Sequence, residues 1–322
     1  MAVGSQSWSQ AWVRTASGPN GFWRRSSPGE HFSTAAMAGP ELAEALLALL
    51  DRYPGTGTVV DVGAGDGALL AGLAGRDAGL GLVGVDLRPR PPTLPAGVYW
   101  IEDCWDVSAP GWTSGGMAEL VEGLAGPVLV VATEWLDDLP CPVAVRTPDG
   151  HRELRADGRA GAPLRSEDQD WVDRWWPGGE LVEVGRSRDL AWAALVRSLD
   201  RVGGLTLAVD YGHDRSGRPS QGSLAGFRAG LPVAAWPDRR ANLTAAVALD
   251  AVAEAGERAG ARTVWRRDQA DVLAELWPDP GHDHGLAALA ARSRRAALVN
   301  RRDWGSHGWL LQQVTPSTPV TA

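Results

Sequence analysis

Val59-Val60-Asp61-Val62-Gly63-Ala64-Gly65-Asp66-Gly67 carries the strongest fold signal in this chain. An apolar run ends in an acid and passes into a glycine-rich turn. Ala68 to Ala74 follows, with helical character. This order predicts a strand, a tight turn and a helix start, the geometry that aims backbone N–H groups at a nucleotide-like ligand. Two carboxylates, Asp61 and Asp66, flank the turn and would repel a pyrophosphate. They suit a ligand that lacks phosphate and carries cationic groups.

S-adenosylmethionine (SAM) is such a ligand. Gly63, Gly65 and Ala68 also meet the looser dinucleotide pattern, with Asp86 about 20 residues further on, so NAD or FAD is the alternative at this point. A turn without a ligand is the bland one. Asp86, in Val85-Asp86-Leu87, would accept from ribose hydroxyls with its two oxygens. Asp103 is placed to face an adenine amino group.

Along the rest of the chain apolar runs recur between helical stretches. Strands are expected at Thr58–Val62, Leu82–Val85, Val98–Ile101, Pro127–Ala132, Leu205–Val209 and Trp309–Val314. Helices are expected at Glu41–Leu50, Met117–Leu124, Trp171–Trp176, Arg188–Val202, Thr244–Gly260 and Leu286–Val299. Alternation of this kind means an α/β domain with a mainly parallel sheet. Pro142 to Arg155, with a Pro148-Asp149-Gly150 turn, reads as a β-hairpin set into that pattern. The expected organisation is a loose N-terminus (1–18), one domain (19–314) with an inserted hairpin and helical element at about 141–180, and a tail (315–322).

Ligands of such sheets bind beyond the carboxyl ends of the strands. Here those ends carry Asp61, Asp86, Glu102-Asp103, Thr133-Glu134 and Asp210-Tyr211. Thr133-Glu134-Trp135-Leu136-Asp137-Asp138-Leu139-Pro140 places three acids beside a Trp, a pattern suited to a cationic group. Its bland alternative is a helix-capping loop. Glu134 and Asp137 are the candidates to hold that group. Asp210, with Tyr211, is a candidate to orient a nucleophile or take its proton.

Bulk properties exclude several classes. The chain has 322 residues, 44% hydrophobic and 22% charged, as in a soluble globular protein. A net charge of −8 gives no general affinity for nucleic acid or anionic lipid. Runs such as Val128–Ala132 are too short to span a bilayer, and Met1–Arg14 has no apolar signal core. A cytoplasmic protein is expected. Cys104 and Cys141 make neither a disulfide framework nor a zinc site. His282-Asp283-His284 lacks an evident third ligand, so no metal is expected. All 31 basic residues are arginine, which removes lysine-dependent chemistry such as a Schiff base. The 16 tryptophans against three phenylalanines fit a GC-rich codon bias.

Four blocks in order resemble the MidA-like SAM-dependent methyltransferases, which include the mitochondrial complex I assembly factor that methylates arginine. They are Gly21-Phe22 with His31-Phe32-Ser33-Thr34-Ala35, Gly63-Ala64-Gly65, Glu134 to Pro140, and Asp210-Tyr211-Gly212 leading to Gly222-Ser223-Leu224 and Leu243-Thr244. The resemblance covers roughly residues 20 to 314. It implies a Rossmann-like class I methyltransferase sheet with helices on both faces, SAM as cofactor and protein arginine as acceptor. By position, it implies that Gly63, Gly65 and Asp86 hold the cofactor, that the His31 to Thr34 segment lies across it, and that Glu134 and Asp137 line the target pocket; Thr34, Asp61, Ala64, Leu87 and Asp103 complete the set of cofactor-binding candidates. Thr133 stands where the family has Asn, and Asn242 where it has Asp. A SAM-binding scaffold and a small-molecule methyltransferase are the alternatives.

Overall fold

The computed structural model describes residues 6–26, 29, 34–37, 39–124, 126–277 and 285–317. Helix α1 (Trp8–Ala16) opens it, closed by a capping box. The Ser7 hydroxyl accepts from Gln10 N–H, and the Gln10 side chain accepts from Ser7 N–H. The one-turn α2 (Phe22–Arg25) and α3 (Glu41–Leu50) lead to β1 (Thr58–Val62), α4 (Ala68–Ala74), β2 (Gly81–Asp86) and β3 (Val98–Glu102). A short ribbon, β4 (Trp105–Asp106) and β5 (Gly111–Trp112), precedes α5 (Gly116–Gly123) and β6 (Val128–Thr133).

The insert follows as β7 (Val143–Thr147), β8 (Gly150–Leu154), β9 (Ala160–Pro163), α6 (Ser166–Trp175) and β10 (Leu181–Glu183). The chain returns through α7 (Arg186–Ser198) to β11 (Gly204–Asp210). Short strands come next: β12 (Gly212–His213), β13 (Ala225–Arg228), β14 (Leu231–Val233), β15 (Asn242–Thr244) and β16 (Val247–Ala248). Last are α8 (Leu249–Arg258), β17 (Ala261–Asp268), α9 (Gln269–Leu276), α10 (Leu286–Leu298) and β18 (Gly308–Val314).

Seven strands form the central sheet in the order β3-β2-β1-β6-β11-β18-β17. The first five run parallel, and β18 runs antiparallel to both of its neighbours. Strand order reverses between β1 and β6, so the crevice beyond their carboxyl ends is the expected ligand position. Both faces are covered, which is why these strands read as continuous apolar runs. Val60, Val62, Val130 and Ala132 pack under α5, α7 and α8. Val59, Leu129, Val131 and Leu207 pack under α3, α4 and α9. Among the described residues no helix is long and apolar enough to cross a membrane.

Three expectations are corrected. Residues 8–16 are not loose: Trp8, Ala11 and Trp12 share one face of α1 and are buried with Val143, Leu154 and Leu243. The helix expected from Thr244 begins at Leu249. Residues 242–244 instead pair with β13, and residues 247–248 with β12. The Arg-rich segment 261–268, without an expected element, is an edge strand, and charge on an edge discourages further pairing.

Candidate functional site

At the turn after β1, three glycines hold left-handed backbone: Gly63 (φ 72°), Gly65 (φ 60°) and Gly67 (φ 73°). The N–H groups of Gly63 and Ala64 donate to the Val85 carbonyl at 2.9 and 3.2 Å, locking the turn onto β2. Gly65 N–H donates to Asp86 Oδ2 at 2.9 Å. The acid at the end of β2 therefore holds the glycine turn as well as facing the crevice.

A cavity of about 340 Å³ lies beyond β1, β2 and β6. Thr34, Asp61, Gly63, Ala64, Gly65, Asp86, Leu87 and Asp103 all line it. His31, Phe32 and Ser33 lie outside the described residues, as do His282, Asp283 and His284. Among the described residues no three His, Cys, Asp or Glu side chains are grouped to hold a metal ion.

The acids of this cavity differ in charge state. Burial, and then the neighbouring Asp86 carboxylate, push the Asp61 carboxyl up to about 8. Burial also raises Asp86, partly offset by the Arg88 guanidinium and by N–H groups of Arg88 and Gly65. Arg88 donates to Asp86 Oδ1 through its backbone N–H (2.9 Å) and Nε (3.2 Å), and reaches Asp66 at 3.2 Å. Burial works against the Asp103 charge too, but hydrogen bonds from Ser114, Thr113 and Cys104 outweigh it and hold the carboxyl below its usual range. One Asp103 oxygen thus carries the loop between β3 and α5.

Of the three expected catalytic acids, the structure brings one to the cavity. Glu134, the residue after β6, holds left-handed backbone (φ 50°), uncommon for a residue with a side chain. Its Oε1 accepts from Ala35 N–H at 2.8 Å, and burial pushes the carboxyl up to about 8. Asp137 and Asp210 do not line the cavity. The Asp137 carboxylate turns away to accept from the Tyr211 and Thr244 hydroxyls. Asp210 Oδ2 accepts from Leu136 N–H (3.0 Å) and Asp137 N–H (3.3 Å), fastening the loop to β11. Asp138 faces the cavity in their place. Its Oδ1 accepts from Asn242 Nδ2 at 2.9 Å, so an amide, not a second acid, stands beside it.

Burial and the Asp137 and Glu134 carboxylates raise Asp210 well above the usual range, which favours its neutral form. Asn is then its close mimic. Asp210→Asn should keep near-normal activity. Asp210→Ala, leaving two buried N–H groups unmet, should cost about 2–4 kcal/mol in denaturant unfolding. Loss of activity in a stably folded Asp210→Asn protein would restore a chemical role to this acid.

Sequence reasoning missed the aromatic wall and the N-terminal wall. Trp135 stacks on Trp112 (centroids 6.1 Å apart, planes at 7°), and Trp105 meets Trp112 edge-on at 5.7 Å. All three line the cavity, as do Val13, Ala16 and Trp23. The i, i+4 pair Trp8 and Trp12 was the available signal for α1. Nothing local marks Trp105 and Trp112 as neighbours of Trp135.

No family model and no curated relative matches the chain. Among solved structures it is similar to a COG1565 superfamily member from Burkholderia thailandensis, a candidate methyl transferase bound to S-adenosyl-homocysteine. Identity is 22%, over 96% of this chain and 87% of that one, with a TM-score of 0.68. A native structure of an uncharacterised COG1565 superfamily protein from the same organism matches at 22% identity and TM-score 0.67, with the same coverage. At this identity the likeness establishes the fold: an α/β protein built on the class I methyltransferase sheet, with an inserted antiparallel sheet and helix.

Proposed function

We propose that this chain is a SAM-dependent methyltransferase of the MidA-like kind, and that its acceptor is a cationic nitrogen, foremost an arginine of a protein. One observation carries this reading. Two carboxyl groups at the end of β6, Glu134 and Asp138, share a cavity with the Asp61–Gly65 turn and Asp86. Acids on both sides suit a cationic cofactor and a cationic acceptor, and suit a pyrophosphate on neither.

The residues fit SAM. Asp61 would take the ammonium group, Asp86 retains lone pairs for ribose hydroxyls, and the Trp105–Trp112–Trp135 wall offers flat apolar surface to a purine. Bound there, SAM supplies a methyl group on a sulfonium, open to in-line attack by nitrogen. The protein's part is alignment and charge. Glu134 and Asp138 hold a guanidinium, concentrate its charge on the held nitrogens and leave another more nucleophilic. In this reading Glu134 receives the proton that the acceptor nitrogen gives up.

Isothermal titration with SAM, then labelling of a cell lysate with methyl-labelled SAM, tests the reading. SAM binding and labelled methylarginine in protein support it. No binding at high micromolar SAM overturns it, and label in metabolites alone points to a small-molecule acceptor. A non-catalytic SAM-binding scaffold is favoured by one feature: Asp86 and Asp138 already carry Arg88 and Asn242. Binding without any labelled product would select it.

The raised Asp61 carboxyl makes cofactor binding proton-coupled. Below about pH 8 the empty folded site holds a proton there that a bound cation would expel. SAM affinity should rise with pH up to about 8, and titrations at pH 7 in buffers of different ionisation enthalpy should show proton release. The same shift has a cost without ligand. Between the ordinary value of 3.8 and about 8 the folded chain binds a proton that the unfolded chain has lost. Stability of the ligand-free protein should therefore fall as pH rises through that window, by up to ~1.4 kcal/mol per unit for such a group.

A further inference from the structure

We propose that the rim of this cavity recognises acidic residues, so that the preferred acceptor is a cationic side chain set within an acidic stretch of protein. This rests on the reading above, in which the acceptor is a cation; what it adds is the chemistry of the acceptor's neighbours. The chain carries a net charge of −8, yet residues 6–26 hold Arg14, Arg24 and Arg25 and no acid at all. This segment borders the cavity: Ser17, Gly18, Trp23 and Arg24 line it.

Among the described residues, Arg24 and Arg25 are held by backbone carbonyls. Arg24 Nε donates to the Ser17 carbonyl at 3.1 Å. Arg25 donates through Nε to the Asn20 carbonyl (3.1 Å) and through Nη2 to the Arg239 carbonyl (2.8 Å). Carbonyl bonds fix a guanidinium without cancelling its charge. The Arg25–Arg239 contact brings a second basic element to the rim, the loop with Arg239 and Arg240. The one acid within residues 234–241, Asp238, pairs with Arg240 at the loose distance of 3.8 Å. Both elements are anchored. Trp8 and Trp12 are buried, and the Trp236 ring meets Trp8 edge-on at 5.9 Å.

Carboxyl groups that a bound cation would ionise line the interior, and guanidinium groups stand at the rim. The complement of this layout is a positive tip with negative flanks, and charge complementarity of this kind governs encounter and partner choice. A polynucleotide could meet the rim but has no cationic tip, and its phosphates would face Asp61, Asp86 and Glu134. A free amine would use the interior alone. An arginine between Asp or Glu residues uses both.

Three arginine peptides of equal length test this, with acidic, neutral or lysine flanks, read as kcat/KM. The acidic peptide should exceed the neutral one by about tenfold at ~20 mM salt, shrinking to about twofold at ~500 mM as screening shortens the reach of the charges. The double variant Arg25→Glu, Arg240→Glu, with neither residue lining the cavity, should bind SAM as the wild type does and turn its preference toward lysine flanks. Equal rates whatever the flanks overturn the proposal while leaving the methyltransferase reading intact. SAM binding with no peptide labelled overturns the peptide acceptor and this proposal with it, whereas absent SAM binding is the failure of the parent reading. Inhibition by RNA equal to that by the acidic peptide would also overturn it.

Discussion

Glu134→Gln should lower kcat by about two to three orders of magnitude, the range for loss of a positioned acid–base group, while SAM affinity changes only severalfold. The substitution keeps shape and an acceptor oxygen for Ala35 N–H, so the contact that seats the side chain survives. What it removes is a charge that can localise a guanidinium and a site that can receive a proton. The pH profile separates this from a packing effect. A carboxyl held near 8 is mostly protonated at pH 6 and cannot serve as base there. The wild-type rate should climb as pH rises and level off above about 8, and the residual rate of Glu134→Gln should be flat through that window. Equal kcat in the two enzymes would remove Glu134 from the chemistry and leave Asp138 as the acid to examine.

That Glu134 and not Asp137 meets the cavity shows where sequence ceases to determine a site. The parallel strands were legible because burial on both faces leaves little but Val, Leu and Ala between their ends. The acids at those ends were legible for the same reason, since each interrupts an apolar run: Asp61, Asp86 and Glu134 stand where the run stops. Asp137 and Asp138 interrupt nothing. They are consecutive on one loop, and the choice between them is made from far along the chain. The Tyr211 and Thr244 hydroxyls draw Asp137 inward, and Asn242 holds Asp138 at the cavity. Likewise α1 hides its amphipathic face among Ser, Gln and Thr, and declares it only through tryptophans four residues apart. β17 carries its arginines outward because an edge strand tolerates them, which erases the apolar run that marks the others.

Gly63→Val should weaken SAM binding by about a hundredfold or more and lower the melting temperature, because two independent costs fall on one residue. The first is conformational. At φ 72° a β-branched side chain meets its own backbone, a strain of about 1–3 kcal/mol. The second is steric. A Cβ at this position would sit 2.5 Å from Trp135 Cδ1 and 2.9 Å from its Cγ, so the indole must move. Trp135 is stacked on Trp112, Trp112 meets Trp105, and Glu134 is the chain neighbour of Trp135, so the displacement reaches the aromatic wall and the acid after β6 together. Relaxing the turn instead would pull the Gly63 and Ala64 N–H groups from the Val85 carbonyl and disturb the seat of Asp86. Gly57→Ala is the matched control, since no atom lies within 4 Å of a Cβ there and its backbone is not left-handed. A titration in which Gly63→Val binds SAM within about threefold of wild type, an interval of well under 1.4 kcal/mol, would mean that the turn after β1 is not where the cofactor sits.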